Sequence, residues 1–179
     1  MLTEIKQNLF DIDSKYALVH CISSDYVMGK GIAKEFANRG VKDYLIANYS
    51  TDVFKWNYRG PGYCLSAPIS PWGVVYNLVT KEHYYDKPTF DSLQNSLIEL
   101  RGAFINYVRN HSVEFPDAST WEINLAMPRI GCGLDRLSWE GTTSKPSVKN
   151  MIDRIFNDYT VECADRIVVL HFNIVVCNL

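Results

Sequence analysis

The sequence lacks an excess of charge of either sign. Its 18 Lys and Arg and 20 Asp and Glu residues give a formal net charge of -2, and the basic residues form no cluster. Counterion release, which drives binding to nucleic acid and to anionic membrane surfaces, needs clustered Lys and Arg. The composition therefore argues against general binding to nucleic acid or membranes, and an anionic ligand has to be held locally.

Long hydrophobic runs are also missing. The most apolar stretch, Ile167 to Leu179, is interrupted by one His and two Asn residues and is too short to span a bilayer, so we interpret it as core strand. The N-terminus places Glu4 and Lys6 where a signal peptide needs its apolar region. We therefore expect no membrane association and no secretion by that route.

The cysteines and histidines lack the spacing of a metal site. The cysteines are odd in number and include no CxxC pair and no Cys/His zinc pattern; they are Cys21, Cys64, Cys132, Cys163 and Cys177. We expect reduced thiols, and hence a nuclear or cytoplasmic protein, with no metal or other cofactor. His20 falls within a predicted strand and is interpreted as a core residue rather than as an acid or base.

The composition that is present is that of one folded domain. Hydrophobic residues make up 47% and charged residues 21% of the 179 residues, and a chain of this length buries roughly 70% of the surface that its unfolded form exposes. No repeat, low-complexity tract or linker divides the chain. We therefore predict a single domain over residues 1–179, and we expect a monomer.

Apolar runs alternate with helical patterns, which predicts an α/β domain. The predicted strands are Thr3 to Gln7, Tyr16 to Ile22, Gly62 to Ile69, Val74 to Thr80, Trp121 to Met127, and one or two within Ile167 to Leu179. Helices are predicted for Ile32 to Asn38, for Val41 to Tyr49, after Pro88, and from Val148 to Phe156. For the last helix, Ser144 is the predicted N-cap and Pro146 lies in the first turn.

A first candidate binding loop, Ser23 to Ile32, follows an apolar strand and leads into a helix. Its sequence is SSDYVMGKGI, with Gly29 and Gly31 two residues apart. A strand, a glycine-containing loop and a helix N-terminus together present free backbone N–H groups to an anion. The loop lacks the third glycine of a dinucleotide fingerprint and the GK[ST] ending of a P-loop. A simple tight turn therefore remains open as an alternative.

A second candidate loop, Pro128 to Leu137, also follows an apolar strand. Gly131 and Gly133 flank Cys132, and glycines let a backbone approach a ligand closely or adopt positive φ. In open α/β sheets, ligands bind outside the carboxyl ends of the strands, where both loops are expected to lie. An ordinary glycine turn is the alternative.

Lys81 is a third candidate because it ends a predicted apolar strand. A lysine at the mouth of a crevice loses part of its hydration, and it then serves either as a nucleophile or as a charge partner for phosphate. Surface lysines are common, so the residue alone does not show whether Lys81 is a nucleophile, a partner for phosphate or an ordinary surface residue. Ser23 is not surrounded by a GxSxG elbow, which argues against a hydrolase triad.

Three segments, taken together, resemble the macro domain of the terminal ADP-ribose protein glycohydrolase family. They are HCISSDYVMGKGIAKEF from His20 to Phe36, VTK to KPTFDSLQNSL within Val79 to Leu97, and MPRIGCGLDRLSWE from Met127 to Glu140. Their order and spacing agree with that family, and the resemblance covers nearly the whole chain.

The resemblance implies a three-layer α/β/α fold with a mixed, roughly six-stranded sheet and a crevice for ADP-ribose. It implies that Lys81 attacks the anomeric carbon of the distal ribose on a modified Glu or Asp, and that Asp135 transfers protons. Mono-ADP-ribosylated proteins would be the substrates. The expected ligand-binding residues are Leu9 on the adenosine side, Ser23, Gly29, Gly31 and Ile32 in the first loop, Arg129, Ile130, Gly131, Cys132, Gly133 and Leu134 in the second, and Leu179 at the C-terminus.

Other functions remain open within this resemblance. Gln7 and Asn8 stand where many macro domains carry an acidic residue for adenine, and Gly141 to Ser147 resembles a surface insertion. These departures leave room for a reader module that binds ADP-ribose without turnover. Deacylation of O-acetyl-ADP-ribose, removal of ADP-ribose from nucleobases in nucleic acid, and dephosphorylation of ADP-ribose 1″-phosphate are the alternative reactions.

Overall fold

A mixed seven-stranded sheet forms the centre of the structure, a computed structural model that describes residues 2–49, 60–115, 117–164 and 166–178. The strands are β1 (Leu2–Lys6), β2 (Ala17–Ser23), β3 (Tyr63–Ala67), β4 (Val75–Lys81), β5 (Thr120–Met127), β6 (Tyr159–Glu162) and β7 (Ile167–Asn178). Their order is β1-β7-β5-β2-β4-β3, and β6 pairs with the first part of β7. β3 and β6 pair antiparallel with their neighbours, whereas the other pairs are parallel.

Helices cover both faces of the sheet. The described helices are α1 (Gly31–Ala37), α2 (Val41–Asn48), α3 (Phe90–His111) and α4 (Val148–Ile155). The apolar residues of α1 and α2 belong to one core cluster, and those of α3 and α4 belong to another. The expected three-layer α/β/α arrangement is therefore confirmed. None of the helices within the described ranges is long and apolar enough to cross a membrane.

The central strands are apolar on both sides because each side faces a helical layer. In β2, Leu18 packs towards α1 and α2, whereas its neighbour Val19 packs towards α3 and α4. In β5, Leu125 and Ala126 divide between the layers in the same way. Successive side chains of a strand point to opposite faces, so a strand between two layers of helices needs a nearly continuous apolar sequence.

The start of α3 fixes the end of β4. Thr89 and Ser92 form a reciprocal capping box, in which each side chain accepts a hydrogen bond from the other's backbone N–H. The Ser92 hydroxyl also donates to the Thr80 carbonyl oxygen at 2.6 Å, and the Ser96 hydroxyl donates to the Val79 carbonyl oxygen at 3.2 Å. These bonds hold the strand end that carries Lys81.

Two local predictions differ from the structure. The N-cap of α4 is Ser147, whose side chain accepts from the Asn150 N–H, so the predictions of Ser144 as the cap and of Pro146 in the first turn were wrong. Thr142 and Lys145 exchange backbone hydrogen bonds in a separate turn, which places Ser144 outside the helix. Strand β6 was not predicted, because Val161 is its only fully buried residue and its sequence therefore has little apolar signal. The single-domain organisation stays a prediction.

Candidate functional site

Two cavities open at the edge of the sheet where its parallel strands end. The Leu9 cavity, of about 580 Å³, lies beside the turn after β1 and includes Leu9, Gly31, Ile32 and Arg129 of the predicted residues. The Lys81 cavity, of about 630 Å³, lies at the ends of β2 and β4 and includes Ser23, Gly29, Lys81 and Leu134. Both volumes are in the range of small-molecule sites.

The two predicted loops meet between these cavities. Gly31 has φ +58°, and a Cβ added there would lie 3.4 Å from Cδ1 of Leu134. Gly31 lines the Leu9 cavity and Leu134 lines the Lys81 cavity. The two cavities therefore adjoin where the Leu134 side chain lies next to Gly31. A long ligand could extend through both cavities.

Backbone N–H groups without acceptors lie on both sides of this junction. Among the described residues, no acceptor is found for the N–H groups of Gly133, Leu134 and Asp135. On the other side, Lys30 is the N-cap of α1 and provides no side-chain hydrogen bond to the first turn. Consecutive free N–H groups and a helix N-terminus both favour an anion. The junction is therefore suited to phosphate groups.

Lys81 and Asp135 form an ion pair at the Lys81 cavity. Nζ of Lys81 lies 2.7 Å from Oδ1 of Asp135, and the two side chains are 14% and 15% exposed. The residues are 54 positions apart in the sequence, and the fold brings the end of β4 next to the loop after β5. A lysine amine can act as a nucleophile, and a carboxylate at this distance can transfer protons beside it.

Asp25, which the sequence analysis did not single out, joins the first loop to the segment after β4. Its carboxylate accepts from the Ser23 hydroxyl at 2.5 Å, from the Val27 N–H at 3.2 Å and from the Tyr84 N–H at 2.8 Å. Because the Ser23 hydroxyl donates to Asp25, it can only accept from a ligand. The bond to Val27 is an Asx turn, a local signal that the sequence did contain.

Lys87 is a second residue that the sequence analysis missed. Its Nζ donates to the carbonyl oxygen of Leu134 at 2.7 Å, so it holds the backbone next to Asp135. Lys87 also lines the Lys81 cavity. Nothing in the local sequence distinguishes it from other surface lysines, because its partner lies in a distant segment.

The glycines of the second loop have different roles. Gly131 has φ +70°, and an added Cβ would lie 2.8 Å from Cδ1 of Leu137 and 3.2 Å from Cδ2 of Leu93. A Cβ on Gly133 would meet no atom of the described residues within 4 Å, and the φ of Gly133 is not positive. Gly131 is therefore needed for packing, whereas Gly133 borders open space.

The other predicted residues of this loop lie away from the cavities' lining. Ile130 is buried in the core, and its N–H donates to the Pro128 carbonyl oxygen. The N–H of Cys132 donates to the Arg129 carbonyl oxygen. Both donors are thus used within the loop, and contacts of these residues with a ligand stay predictions. The predicted contact of Leu179 lies outside the described residues.

Arg129 is tied to strand β1 through Glu4. The Glu4 carboxylate contacts Arg129 Nη2 and Lys149 Nζ at 2.8 Å each, and it accepts from Trp139 Nε1 at 3.2 Å and Asn178 Nδ2 at 3.1 Å. The Lys149 bond, followed by the Arg129 bond, lowers the pKa of Glu4 to about 2. The network joins β1, the second loop, α4 and the end of β7 beside the Leu9 cavity.

The turn after β1 supplies the polar groups of the Leu9 cavity. Oδ1 of Asn8 accepts from the Phe10 N–H at 3.1 Å, and Nε2 of Gln7 donates to the Asp11 carbonyl oxygen at 2.9 Å. Phe10 also lines the cavity, and the Arg39 guanidinium carbon lies 3.9 Å from its ring centre. The sequence analysis missed Phe10 and Arg39, whose contact depends on the position of α1.

His20 is a core residue, as predicted. It is fully buried, and its ring stacks on Phe36 with centroids 3.8 Å apart. Burial lowers its pKa to about 3, while Nε2 bonds to Oδ1 of Asn77 at 2.7 Å. His20 lines neither cavity.

The cysteines form no disulfide among the described residues. All five are free thiols, and burial raises the pKa of the Cys64 thiol to about 12 and that of Cys132 to about 11. Within the part of the chain that the structure describes, no three His, Cys, Asp or Glu side chains are grouped to hold a metal ion.

A third and larger cavity lies at the opposite edge of the sheet. It has a volume of about 730 Å³ and is lined by residues where β2, β4 and β5 begin, including Ala17, Val74 and Trp121. It contains none of the predicted site residues that the structure describes. The predicted residues thus converge on the edge that carries the Leu9 and Lys81 cavities.

Sequence comparison identifies relatives over most of the chain. The chain is 32% identical over 157 residues to the ADP-ribose glycohydrolase OARD1 of Homo sapiens. The matched residues make up 87% of this chain and 84% of that protein. The Bos taurus ADP-ribose glycohydrolase OARD1 is 32% identical over 145 residues, covering 80% of each protein. No family model matches the chain.

Solved structures share the fold. The macrodomain of Thermus aquaticus DarG has a TM-score of 0.62 at 20% identity and covers 100% of this chain and 99% of that one. The macrodomain of Mycobacterium tuberculosis DarG also has a TM-score of 0.62 at 20% identity, with 99% of each chain covered. Thermosipho africanus DarTG, solved in complex with ADP-ribose, has a TM-score of 0.57 at 15% identity and covers 97% of this chain and 41% of that one.

Proposed function

Since this chain belongs to the macro domain family, we propose that it binds ADP-ribose and hydrolyses the bond between mono-ADP-ribose and acidic side chains of proteins. The observation that carries the proposal is the 2.7 Å contact between Lys81 Nζ and Asp135 Oδ1 at the Lys81 cavity. The sequence relatives are named ADP-ribose glycohydrolases, which supports hydrolysis at an ADP-ribose bond.

In this proposal ADP-ribose extends through both cavities. The adenosine occupies the Leu9 cavity, and the diphosphate lies at the junction of Gly31 and Leu134. The distal ribose then enters the Lys81 cavity. The N–H groups of Gly133, Leu134 and Asp135, which have no acceptor among the described residues, support this orientation, because they provide hydrogen bonds for phosphate without a cluster of cations.

The ion pair supplies the nucleophile and the proton-transfer group of the reaction. Lys81 loses a proton to solvent, and its amine attacks C1″ of the distal ribose. The bond from C1″ to the ester oxygen breaks, and the oxygen leaves with the electron pair as the carboxylate of the substrate. In the second step Asp135 takes a proton from water, whose oxygen attacks C1″ and displaces the Lys81 nitrogen, and Asp135 then returns the proton to the Lys81 amine. The products are ADP-ribose and the unmodified acidic side chain.

Release of ADP-ribose from a glutamate-modified protein tests the proposal. We expect the wild type to release it, Lys81→Ala to bind ADP-ribose without turnover, and Asp135→Ala to lose turnover while a covalent adduct on Lys81 stays detectable by intact mass. Removing one partner of a largely buried ion pair costs about 3 to 5 kcal/mol of stability. The thermal unfolding of each variant is therefore measured beside its activity. The double variant Lys81→Met/Asp135→Asn, which removes both charges, is the control for the loss of one partner. Normal turnover by Lys81→Ala would contradict the mechanism.

A reader module that binds without turnover is the second candidate. Asn8 favours it, because Oδ1 of Asn8 already accepts from the Phe10 N–H and a neutral amide accepts more weakly than a carboxylate. Equal inertness of wild type and Lys81→Ala, with ADP-ribose bound by both, would support the reader. Absence of heat on titration with ADP-ribose would rule out both candidates.

Alternative ADP-ribose substrates would use the same two residues. Deacylation of O-acetyl-ADP-ribose and removal of ADP-ribose from a nucleobase in nucleic acid are both compatible with an amine nucleophile and a nearby carboxylate. A substrate panel ranks these reactions against the protein ester. Faster turnover of either alternative would replace the acidic side chain as the proposed substrate.

A further inference from the structure

Exposed apolar side chains surround the mouth of the Lys81 cavity. Val27 is 36% exposed, Tyr84 57%, Tyr85 65% and Leu134 63%, and all four line this cavity. We call these four residues the aromatic rim. Large apolar groups grouped on a surface beside a ligand site mark a contact with a further part of the ligand or with a partner.

The two tyrosines of the rim are held in place although they are exposed. The Tyr84 N–H donates to Asp25 Oδ2 at 2.8 Å. The Tyr85 ring stacks on His83 with centroids 5.1 Å apart, and Tyr84 meets Tyr85 edge to face at 5.2 Å. Preorganised tyrosines lose little conformational entropy on binding, which is one reason why they are common in interfaces.

The position of the rim relates it to the leaving group. This step rests on the proposed function, in which Lys81 attacks C1″ of the distal ribose from within the cavity. The displaced carboxylate must then face the open side of the cavity, which the rim surrounds. The residues on either side of the modified amino acid therefore come within reach of Tyr84 and Tyr85.

The charges around the rim favour a polypeptide over a nucleic-acid strand. Lys30 and Lys87 line the mouth, but Glu82 and Asp86 lie in the same segment as the tyrosines. Lys87 already donates to the Leu134 carbonyl oxygen. A phosphate backbone needs a net positive surface, whereas a nearly neutral, apolar rim suits the side chains of a peptide.

We propose that the aromatic rim binds the polypeptide next to the modified residue and gives the enzyme a preference for apolar residues flanking that residue. Val27 and Leu134 supply aliphatic contacts, and Tyr84 and Tyr85 supply the aromatic ones. ADP-ribose itself occupies the Leu9 cavity, the junction and the interior of the Lys81 cavity, inside the rim. The rim is thus a specificity surface for the protein part of the substrate.

Kinetics on matched substrates test this proposal. Two peptides of equal length carry ADP-ribose on a glutamate, flanked by leucines in one and by serines in the other. An acetate ester of ADP-ribose serves as the substrate without a peptide. We expect the wild type to favour the leucine peptide, and Tyr84→Ala and Tyr85→Ala to lower kcat/KM for that peptide by about tenfold relative to the acetate ester.

Control variants separate the rim from general effects. Tyr107 is also exposed, but it lies on α3 and lines neither the Leu9 nor the Lys81 cavity, so Tyr107→Ala should leave the ratio unchanged. Tyr84→Leu and Tyr85→Leu retain apolar area and should restore part of the preference for the leucine peptide. Thermal unfolding confirms that each variant is folded.

The possible outcomes are distinct. An equal loss on the peptide and on the acetate ester, or no preference between the peptides, overturns the rim proposal while the proposed function stands. If the tyrosine variants lose more kcat/KM on an ADP-ribosylated single-stranded oligonucleotide than on the leucine peptide, the rim binds nucleic acid. That result would overturn the proposal that it binds a polypeptide. If the wild type releases ADP-ribose from none of these substrates, the proposed function fails, and the rim proposal fails with it.

Discussion

Gly131 and Gly133 lie two residues apart in the second loop and differ in what a side chain would meet. Gly131→Ala forces a positive φ on alanine and brings its Cβ within 2.8 Å of Leu137. We expect it to lower the free energy of unfolding by at least about 2 kcal/mol, because backbone strain and overpacking add. Urea denaturation measures this change.

Gly133→Val tests the other glycine of the loop, which borders open space. Its Cβ enters open space, so a change in stability below about 0.5 kcal/mol is expected. The added side chain borders the N–H groups proposed for phosphate, so the affinity for ADP-ribose should fall. Unchanged affinity in calorimetry would mean that this part of the loop does not touch the ligand.

At the residue scale, the sequence predicts residue types better than their contacts. Lys81 and Asp135 are identified by resemblance, and the structure brings them together across 54 positions. Asp25 was missed although its Asx turn with Val27 is local. Its contact with Tyr84, and the contact of Lys87 with Leu134, join distant segments. Such contacts depend on how strands and loops are placed in space, and a single sequence carries no direct signal for them.

At the scale of elements, Glu4 connects β1 to the second loop and to α4. Glu4→Gln removes the charge that pairs with Lys149 and Arg129. We expect a loss of about 1 to 2 kcal/mol at pH 7, reduced from the full effect of the pKa shift because solvent screens the pairs. Chemical denaturation of the variant and the wild type gives this difference.

The pH dependence of that difference follows from the sign of the shift. The folded protein lowers the pKa of Glu4 from its ordinary 4.5 to about 2, so the stabilisation is complete above about pH 4.5 and is lost as the pH falls towards 2. Glu140 pairs with the same Lys149 but is exposed, so Glu140→Gln should cost less than about 0.5 kcal/mol. A Glu4 effect that is constant from pH 7 to pH 3 would contradict the assignment.

Elements were predictable where burial leaves a strong pattern. Strands β2, β4 and β5 are apolar on both sides because helices cover both faces, and their predicted ranges agree with the structure to within a few residues. Strand β6 has one fully buried residue and was missed. The N-cap of α4 was misplaced because three serines and threonines precede it, and only the turn from Thr142 to Lys145 excludes the earlier ones.

For the whole molecule, the resemblance implied the three-layer fold, and the positions of the two loops after parallel strands predicted the location of the crevice. Parallel strands carry their carboxyl ends to the same edge of the sheet, and the loops after β2 and β5 therefore meet there, as Gly31 and Leu134 do. The division of the crevice into two cavities was not predictable, because it depends on the position of one side chain, that of Leu134.

The central claim is that one ADP-ribose molecule extends through both cavities with its distal ribose at Lys81. A crystal structure of the protein soaked with ADP-ribose tests it directly. The account predicts adenosine beside Leu9, the diphosphate at the Gly31–Leu134 junction, and C1″ of the distal ribose within reach of Lys81 Nζ. Adenosine at Lys81, or the ligand in the cavity of about 730 Å³ at the opposite edge of the sheet, would contradict it.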